Sequence, residues 1–467
     1  MRHAITLILT LLFLITPGFA LLRDIADPAM QGPGIPHRAW STHQTITPRI
    51  AAWARDRIDH QRAAQTALHD VPTTEWPMFT AVFYLMGTEA LQRDWQRTHE
   101  GIEPRVFAHD AILASRDLIL DPSHHSWVQR HWGDDYLHQE NVFFRSLLIA
   151  GLTSYANITG DDSSNTLLRD QVDTLASELD ASLLGVLNDY PGECYPIDVL
   201  AAIGLMQRAD RTLGTDHSAF FARSRRGFEG HMLDQRGLVP FRILLPAGSP
   251  RGEVPSVHQL QPGRGIGMSW VLLFTPDLWP DLNADWYATY SRDFYEEHAL
   301  LSGFREYARG TESEWTFEVD AGLVVDGFGT AASAFGIAAA RRNGRFDQAY
   351  ALSTEVSAAS YVMADGTMLL PRIFSHAADA PHLGEAALMY FWTVQPREDV
   401  AIVAPTNLPG LVWLGLFVYL GLPLGYATYR LRKHLAARSG VRNKGSEAGV
   451  GATSDGQNSV LNAPDAS

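Results

Sequence analysis

Two long apolar segments bracket the chain and restrict where its body can lie. Near the carboxyl terminus, Leu408–Tyr429 is a run of 22 uncharged residues that includes one Trp and three Tyr. About 20 apolar residues suffice to cross a bilayer as a helix, and Trp and Tyr favour its interfaces. Six Lys or Arg follow within 430–444. By the positive-inside rule we predict a transmembrane helix over 408–429 and a cytoplasmic tail over 430–467, basic and then disordered.

The second apolar segment lies at the amino terminus. Ala4–Leu22 comprises 19 uncharged residues behind Arg2 and His3, and Pro17–Ala20 lies at its far end. This pattern predicts either a signal peptide cut near Ala20 or a retained membrane anchor, so residues 1–22 are assigned to one of these two. Under both alternatives residues 23–400 lie outside the cytoplasmic (inner) membrane, in the periplasm or its equivalent.

The basic residues exclude several classes of protein. Of 37 Lys and Arg in 467 residues, only Lys433 and Lys444 are lysines. The body therefore contains neither a P-loop lysine nor a Schiff-base lysine, which excludes P-loop nucleotide hydrolysis and pyridoxal phosphate chemistry. The formal net charge is -15 and no basic stripe is visible. This balance predicts no nucleic-acid partner.

The body between the two apolar segments has the period of helices. Apolar residues recur at steps of three and four, and a Gly followed closely by an acid separates such runs near 160, 214 and 344. Glycine takes the left-handed conformation that ends a helix, and the acid caps the next helix, so we predict αα-hairpin turns. The predicted helices lie near residues 48–69, 74–97, 105–120, 140–158, 164–188, 195–213, 216–233, 265–275, 284–303, 327–343, 346–360 and 383–394.

Helices joined in hairpins predict an all-α fold, an (α/α)6 barrel in which inner and outer helices alternate around one pocket. A superhelical repeat protein is the alternative, but no sequence period is visible. Two polar stretches rich in Gly and Pro, 234–263 and 303–322, interrupt the helical period. We predict that they are loops covering the pocket.

Three segments concentrate residue types that do chemistry, and the first opens a helix. Glu140 and Asn141 are predicted to hydrogen-bond a ligand, with Phe143 as an apolar wall. The alternative is structural: Asn141 caps the helix and Arg145 pairs with a nearby acid.

The second segment, Tyr190–Asp198, contains the only cysteine of the chain. Its Pro and Gly predict a turn, after which Glu193, Cys194, Tyr195 and Asp198 crowd the start of a helix. A helix amino terminus favours a thiolate, so we predict a lowered pKa for Cys194 and a role as nucleophile or base. The alternative is that Cys194 is a small buried apolar residue.

The third segment is acidic. Five acids lie between 312 and 326 around Trp315, and two of them, Asp320 and Asp326, stand among apolar residues. Paired carboxyls suit acid–base work because desolvation raises one pKa and leaves the partner ionised. A solvated acidic loop is the alternative. Four histidines within 124–138 lack the register of metal ligands, and we predict neither a metal site nor a cofactor.

Together and in order, these segments resemble the linalool dehydratase-isomerase family over residues 130–360. That family has an (α/α)6 barrel and a Glu-Asn motif opening an inner helix, similar to Glu140-Asn141. Its Cys-Glu-Pro-Asp turn is similar to Cys194–Asp198, and its late Ala-Ser-Ala-Phe helix to Ala332–Phe335. The family's second catalytic cysteine falls near Ala202 and has no counterpart, so only Cys194 carries over.

These patterns predict a membrane-anchored, exported enzyme with lyase or isomerase chemistry on a small hydroxylated or unsaturated substrate. Cys194 and either Asp320 or Asp326 are the predicted proton donor and acceptor. The predicted substrate-binding residues are Glu140, Asn141, Phe143, Glu193, Tyr195, Asp198, Trp270 and Trp315. The alternatives are a carbohydrate-active hydrolase or polysaccharide lyase with a Trp-lined cleft, and a non-enzymatic envelope binding protein. The predicted partners are the substrate and the membrane.

Overall fold

The computed structural model describes residues 2–65, 75–182, 184–243, 260–311, 315–376, 380–433 and 435–436, which are mostly helical. The helices are α1 (Arg2–Ala26), α2 (Pro28–Gln31), α3 (His37–Asp59), α4 (Trp76–Thr98), α5 (Pro104–Phe107), α6 (His109–Leu120), α7 (Pro122–Trp132), α8 (Val142–Thr159), α9 (Asn165–Ala181), α10 (Pro196–Leu213), α11 (Ser218–Gly230), α12 (Gly265–Phe274), α13 (Pro280–Phe294), α14 (Thr330–Arg342), α15 (Phe346–Ala359), α16 (Leu369–His376), α17 (Leu383–Thr393) and α18 (Gly410–Lys433). The strands are β1 (Tyr295–Glu297), β2 (Ser302–Phe304), β3 (Thr316–Glu318), β4 (Gly322–Val325) and β5 (Phe328–Gly329).

Six helices pack side by side in a closed ring: α4, α8, α10, α12, α14 and α17, with α17 returning to α4. We call them the ring helices. They are apolar around most of their circumference, as buried helices are. Close approach depends on glycine where backbones meet: a Cβ on Gly204 of α10 would lie 2.3 Å from the carbonyl oxygen of Phe274 on α12. Such contacts bring helix axes together without side-chain interference.

The helices that alternate with the ring helices along the chain are amphipathic. In α9, one face is buried through Leu168, Val172, Leu175 and Leu179, which follow the predicted helical spacing. This helix packs against both α8 and α10 with that face. The helices α3, α6, α13 and α15 likewise each pack against at least one ring helix.

The predicted turns between these helices are confirmed. Gly160, Gly214 and Gly344 adopt φ of 72°, 66° and 72°, the left-handed region in which a side chain would be strained. Each follows a helix of the ring, and the chain then enters an outer helix. The glycine-and-acid pattern is therefore a reliable marker of the helix ends in this protein.

The prediction of a mostly helical fold is confirmed, but the region between α13 and α14 contains short strands that were not predicted. The helix predicted over 284–303 ends at Phe294 and continues into β1, which pairs with β2. The predicted loop over 303–322 contains β2 and β3, and β3, β4 and β5 form a second antiparallel sheet. Gly322 and Gly327, with φ of 66° and 83°, turn the chain into and out of β4. Short strands of this kind lack the length that makes an alternating pattern visible.

Two further helices and one helix start differ from the prediction. The helices α7 and α16 are not among the predicted helices, and α3 begins at His37 rather than near residue 48. Pro48 lies inside α3, whereas the sequence pattern suggests a helix start there, because proline is common in the first turn.

At the carboxyl terminus, α18 spans 24 residues and is the one described helix that is long and apolar enough to cross a membrane. Its side chains are largely exposed, including Trp413 at 60% and Phe417 at 57%. The helix therefore indicates membrane association. The tail beyond 436 lies outside the described residues, and the first apolar segment, Ala4–Leu22, forms part of α1.

Candidate functional site

The amino-terminal ends of the ring helices meet at one end of the ring. Glu75 directly precedes α4, Asn141 precedes α8, Tyr195 precedes α10 and Arg264 precedes α12. Four acids interact electrostatically at this end: Glu75, Asp189, Asp198 and Asp320. We call these four residues the carboxyl cluster.

A tight turn brings Asp189 to the start of α10. Glu193 N–H donates to the Tyr190 carbonyl at 2.8 Å, and Gly192 at the third position has φ of 82°. Pro at the second and Gly at the third position are typical of a type II turn. The turn folds the chain back, so that Tyr195 N–H donates to Asp189 Oδ2 at 3.0 Å. Asp189 therefore caps the first turn of α10 from outside the helix.

Burial and mutual repulsion raise the pKa values in the carboxyl cluster. Burial is the largest cause for Glu75, Asp189 and Asp198, and each is raised further by at least one other member of the cluster. Tyr190 Oη donates to Glu75, which is a neutral partner. Among the described residues, no Lys, Arg or His pairs with these three acids. The charged forms of these three acids are poorly hydrated and have no cation beside them. Their protonated forms are therefore favoured.

Asp320 differs from the rest of the carboxyl cluster. Burial raises its pKa, but Arg264 opposes the rise. Arg264 Nε lies 2.7 Å from Glu306 and also pairs with Glu318. The side chain of Asp320 is exposed and that of Asp198 is half-buried. Protein atoms nevertheless surround both carboxyls closely enough to raise their pKa values by desolvation. We infer that their accessible surfaces face a recess between the helix ends, and that Asp320 ionises first.

Three buried polar atoms beside the carboxyl cluster form no short, well-aligned hydrogen bond in the described part of the chain. They are Asp189 Oδ1, Trp270 Nε1 and Asn141 Oδ1. The Trp270 indole faces Asp198, and its hydrogen bonding lowers the pKa of that acid, so among the three atoms this donor is already directed at the cluster. An unpaired buried polar atom costs about 1–3 kcal/mol.

Aromatic side chains form an apolar wall beside the carboxyl cluster. Phe79 contacts Phe143 and Trp270, with ring centroids 5.3 and 5.9 Å apart, and Phe335 lies 5.7 Å from Trp270. Phe79, Phe143 and Phe335 are only half-buried although they come from ring helices. The site thus combines a protonated, polar end with accessible aromatic surface.

The predicted lowering of the Cys194 pKa is wrong. Burial raises the pKa of this thiol well above its usual value, and Asp189, Glu140 and Asp198 raise it further. Its side chain is 7% exposed. The loss of solvation and the neighbouring acids outweigh the amino-terminal end of α10, because both disfavour the thiolate. Cys194 is a buried, protonated thiol.

We expect Cys194 to react slowly with thiol reagents in the folded protein. Iodoacetamide attacks the thiolate, and both burial and the raised pKa deplete that form. Mass spectrometry of the intact chain after a timed incubation at neutral pH measures the labelled fraction. The denatured chain is the control and should label rapidly. Equal rates in the folded and denatured states would contradict a buried, protonated thiol.

The first predicted segment is held by structural contacts. Glu140 accepts from Asn188 Nδ2 at 3.0 Å, and Glu140 N–H donates to Glu178 at 2.8 Å. Asn141 is buried but its side chain does not cap α8. Both residues have φ near +50° (43° and 54°), a strained conformation for side chains other than glycine. Arg145 pairs with Glu178 at 2.5 Å, as the structural alternative predicts.

Two of the predicted residues flank the site and two lie away from it. Tyr195 Oη donates to Glu193 at 2.9 Å, at the edge of the carboxyl cluster. Trp315 is 71% exposed on the β3 side, and Asp326 is 71% exposed and lies 3.5 Å from His298. Asp326 forms no hydrogen bond or ion pair with the carboxyl cluster as described. The structure therefore does not support Asp326 as a proton acceptor or Trp315 as a pocket wall.

Sequence reasoning missed Glu75, Asp189 and Arg264. Asp189 could have been predicted, because it directly precedes the Tyr-Pro-Gly turn, and such a turn places the acid beside the residues that follow it. Arg264 could have been found as a cation at a glycine-flanked helix start. Glu75 carries no such signal, since it meets Tyr190 across 115 positions of sequence.

A separate cavity of about 1030 Å³ lies at the carboxyl-terminal ends of the ring helices. Its arginines are already paired with acids: Arg208 with Glu89, and Arg342 with Asp277. The carboxyl cluster, with its unpaired acids, is the better candidate for chemistry. The sequence matches none of the protein-family models and none of the characterised proteins with which it was compared.

Proposed function

We propose that this chain is a membrane-anchored (α/α)6-barrel enzyme that uses acid–base chemistry to dehydrate or isomerise a small, largely apolar alcohol. The carboxyl cluster with raised pKa values beside an accessible aromatic wall is the observation that carries the proposal. The resemblance to the linalool dehydratase-isomerase family supports the same reaction class.

The proposed barrel rests on the closed packing of the ring helices and on their alternation with outer helices. The ring helices that begin at the carboxyl cluster all run in the same direction. The inner helices of an (α/α)6 barrel run in this way around a pocket. Helix amino termini carry partial positive charge, so the site end of such a ring suits a ligand with a polar group.

The proposed reaction needs one acid and one base. Asp198, which is neutral, protonates the substrate hydroxyl, so that the C–O bond breaks and water leaves. Asp320, which is ionised beside Arg264, removes a proton from the adjacent carbon, and the electron pair of that C–H bond forms the C=C bond. One proton enters the leaving water and one is taken from carbon, so the reaction is balanced without a cofactor. Environments that separate the pKa values of two acids assign these roles.

The remaining residues bind and orient the substrate. Phe79, Phe143 and Phe335 offer apolar surface to its hydrocarbon part. Trp270, whose indole hydrogen-bonds Asp198, orients that acid toward the substrate hydroxyl. Cys194, as a protonated thiol, shapes the wall rather than acting as a nucleophile. The proposed location is the outer side of the inner membrane, with the tail after α18 in the cytoplasm.

Incubation of the full chain in detergent with small unsaturated alcohols, in deuterium oxide, tests the proposal. Gas chromatography–mass spectrometry should detect dehydrated product, and deuterium should appear in alcohol recovered from the reverse reaction. Boiled protein is the control. Release of sugars from oligosaccharides without any change in the alcohols would contradict the proposal in favour of a carbohydrate-active enzyme. Binding of alcohols without conversion would indicate a binding protein.

A further inference from the structure

The short helix α16 is amphipathic, but its apolar side faces away from the body of the protein and its polar side faces the body. Its apolar side chains are exposed: Leu369 at 39%, Leu370 at 40%, Ile373 at 56% and Phe374 at 55%. These four residues, which we call the α16 apolar face, lie at helical spacing on one side. In water such a contiguous patch is unfavourable, which indicates that something covers it.

The polar side of α16 is fixed to the body of the protein. Arg372 makes a bidentate pair with Glu385 of α17, with atoms 2.7 and 2.8 Å apart, and Glu385 is fully buried. Gly384 N–H donates to Ser375 Oγ at 3.0 Å. Because these contacts hold the polar side inward, the α16 apolar face is directed outward by the fold and not by a chance side-chain conformation.

The start of α16 is linked to α1 and α18 through Tyr361. Leu369 and Leu370 N–H donate to the carbonyls of Tyr361 and Ser360, at 3.4 and 3.2 Å. The Tyr361 ring lies 5.1 Å from Phe13 of α1 and 5.8 Å from Tyr419 of α18. Tyr361 thus connects the first turn of α16 to the middle of the helix that is apolar enough to cross a membrane.

The helices α1 and α18 pack together as an antiparallel pair. Gly18 faces Leu420, where a Cβ would lie 2.5 Å from the leucine side chain, and Leu21 lies against Gly415. Going outward from the body, α1 runs toward Arg2 and α18 toward Lys433. This pair exposes apolar side chains, including Phe13 at 55% and Phe417 at 57%.

We propose that the α16 apolar face inserts among the lipid acyl chains of the outer leaflet of the bilayer that α18 crosses. The occupant is lipid, because Tyr361, whose carbonyl accepts from Leu369 N–H, packs against Tyr419 of α18, and because the face carries only apolar side chains. A helix with such a face lies in the membrane interface with its apolar side buried among lipids. The proposal rests on α18 as a membrane helix and is independent of the proposed reaction.

Depth-dependent fluorescence quenching tests this membrane contact. Cys194→Ala leaves the full chain without cysteine, and Ile373→Cys then carries a single environment-sensitive label. Ile102→Cys is the matched control, because Ile102 is the same residue type and is 58% exposed, near the other end of the ring helices. Both proteins are reconstituted in phosphatidylcholine–phosphatidylglycerol vesicles with and without lipids that carry a quencher on the acyl chain.

We expect the label at 373 to emit at shorter wavelength and to lose most of its fluorescence to the acyl-chain quencher, while the label at 102 does neither. Equal behaviour of the two labels would overturn the proposal. A blue-shifted label at 373 that the lipid quencher does not reach would also overturn it, since a second protein copy then covers the face. If Ile373→Cys fails to fold, Leu370→Cys gives the same two outcomes.

Discussion

Replacing Asp198 by Asn is expected to lower kcat/KM for an alcohol substrate by about 10²–10⁴-fold, the range for the loss of a general acid. Asparagine keeps the shape of the side chain but has no acidic proton to give to the leaving hydroxyl. The acid is suited to this role because burial and the charge of Asp320 raise its pKa. The rate is measured with whichever alcohol the screen of unsaturated alcohols identifies.

The exposed acid Asp326 provides the matched control for that substitution. Asp326→Asn makes the same chemical change at a site that is 71% exposed and paired with His298. We expect kcat/KM to stay within about twofold of the wild-type value, because surface substitutions have small effects. Equal losses in the two variants would show that the loss does not depend on an acid placed in the carboxyl cluster. Full activity in Asp198→Asn would refute the assignment of the acid.

Replacing Arg145 by Ala is expected to lower the free energy of unfolding by about 3–5 kcal/mol, as for a buried ion pair that loses one partner. The guanidinium is fully buried and contacts Glu178 at 2.5 Å, Thr174 Oγ1 at 2.7 Å and Gln171 Oε1 at 3.1 Å. Without it, Glu178 loses its cation, and the segment before α8 loses a hydrogen bond to the Glu140 carbonyl. Denaturant unfolding followed by circular dichroism in detergent measures the change.

Arg223→Ala is the control for the loss of an arginine that pairs with an acid of α9, as Arg145 does. Arg223 pairs with Asp180 of α9, but both side chains are exposed, at 47% and 39%. An exposed pair contributes about 0–1 kcal/mol, so we expect little change in stability. If both variants unfold at the same denaturant concentration as the wild type, the pair at Arg145 is not a structural support of the site.

The parts of the fold set by local residue patterns could be predicted from the sequence. Gly160, Gly214 and Gly344 end helices where expected, because a left-handed residue is a local requirement. The period of α9 is visible for the same reason. The strands β1 to β5 could not be predicted, since each has only two to four residues, too few to show an alternating pattern.

The sequence predicts the candidate site only where the residues of the site lie in a single segment. The segment from Glu193 to Asp198 reaches the site because a single turn positions it. The pKa of Cys194 was predicted in the wrong direction, because its burial and its neighbour Glu140 depend on the fold and not on adjacent sequence. Glu75 was missed for the same reason. Asp326 was included because it lies near Asp320 in sequence, but the chain reverses at β4 and separates the two.

The most direct test of protons retained in the carboxyl cluster is infrared spectroscopy of the full chain at neutral pH, which needs no substrate. Protonated carboxylic acids have a carbonyl stretching band that carboxylates lack. We predict that the wild-type protein shows this band, that it weakens in Asp198→Asn and that it is unchanged in Asp326→Asn. Spectra of the wild type and Asp198→Asn that agree throughout this region would contradict a proton held at Asp198 and, with it, the proposed acid.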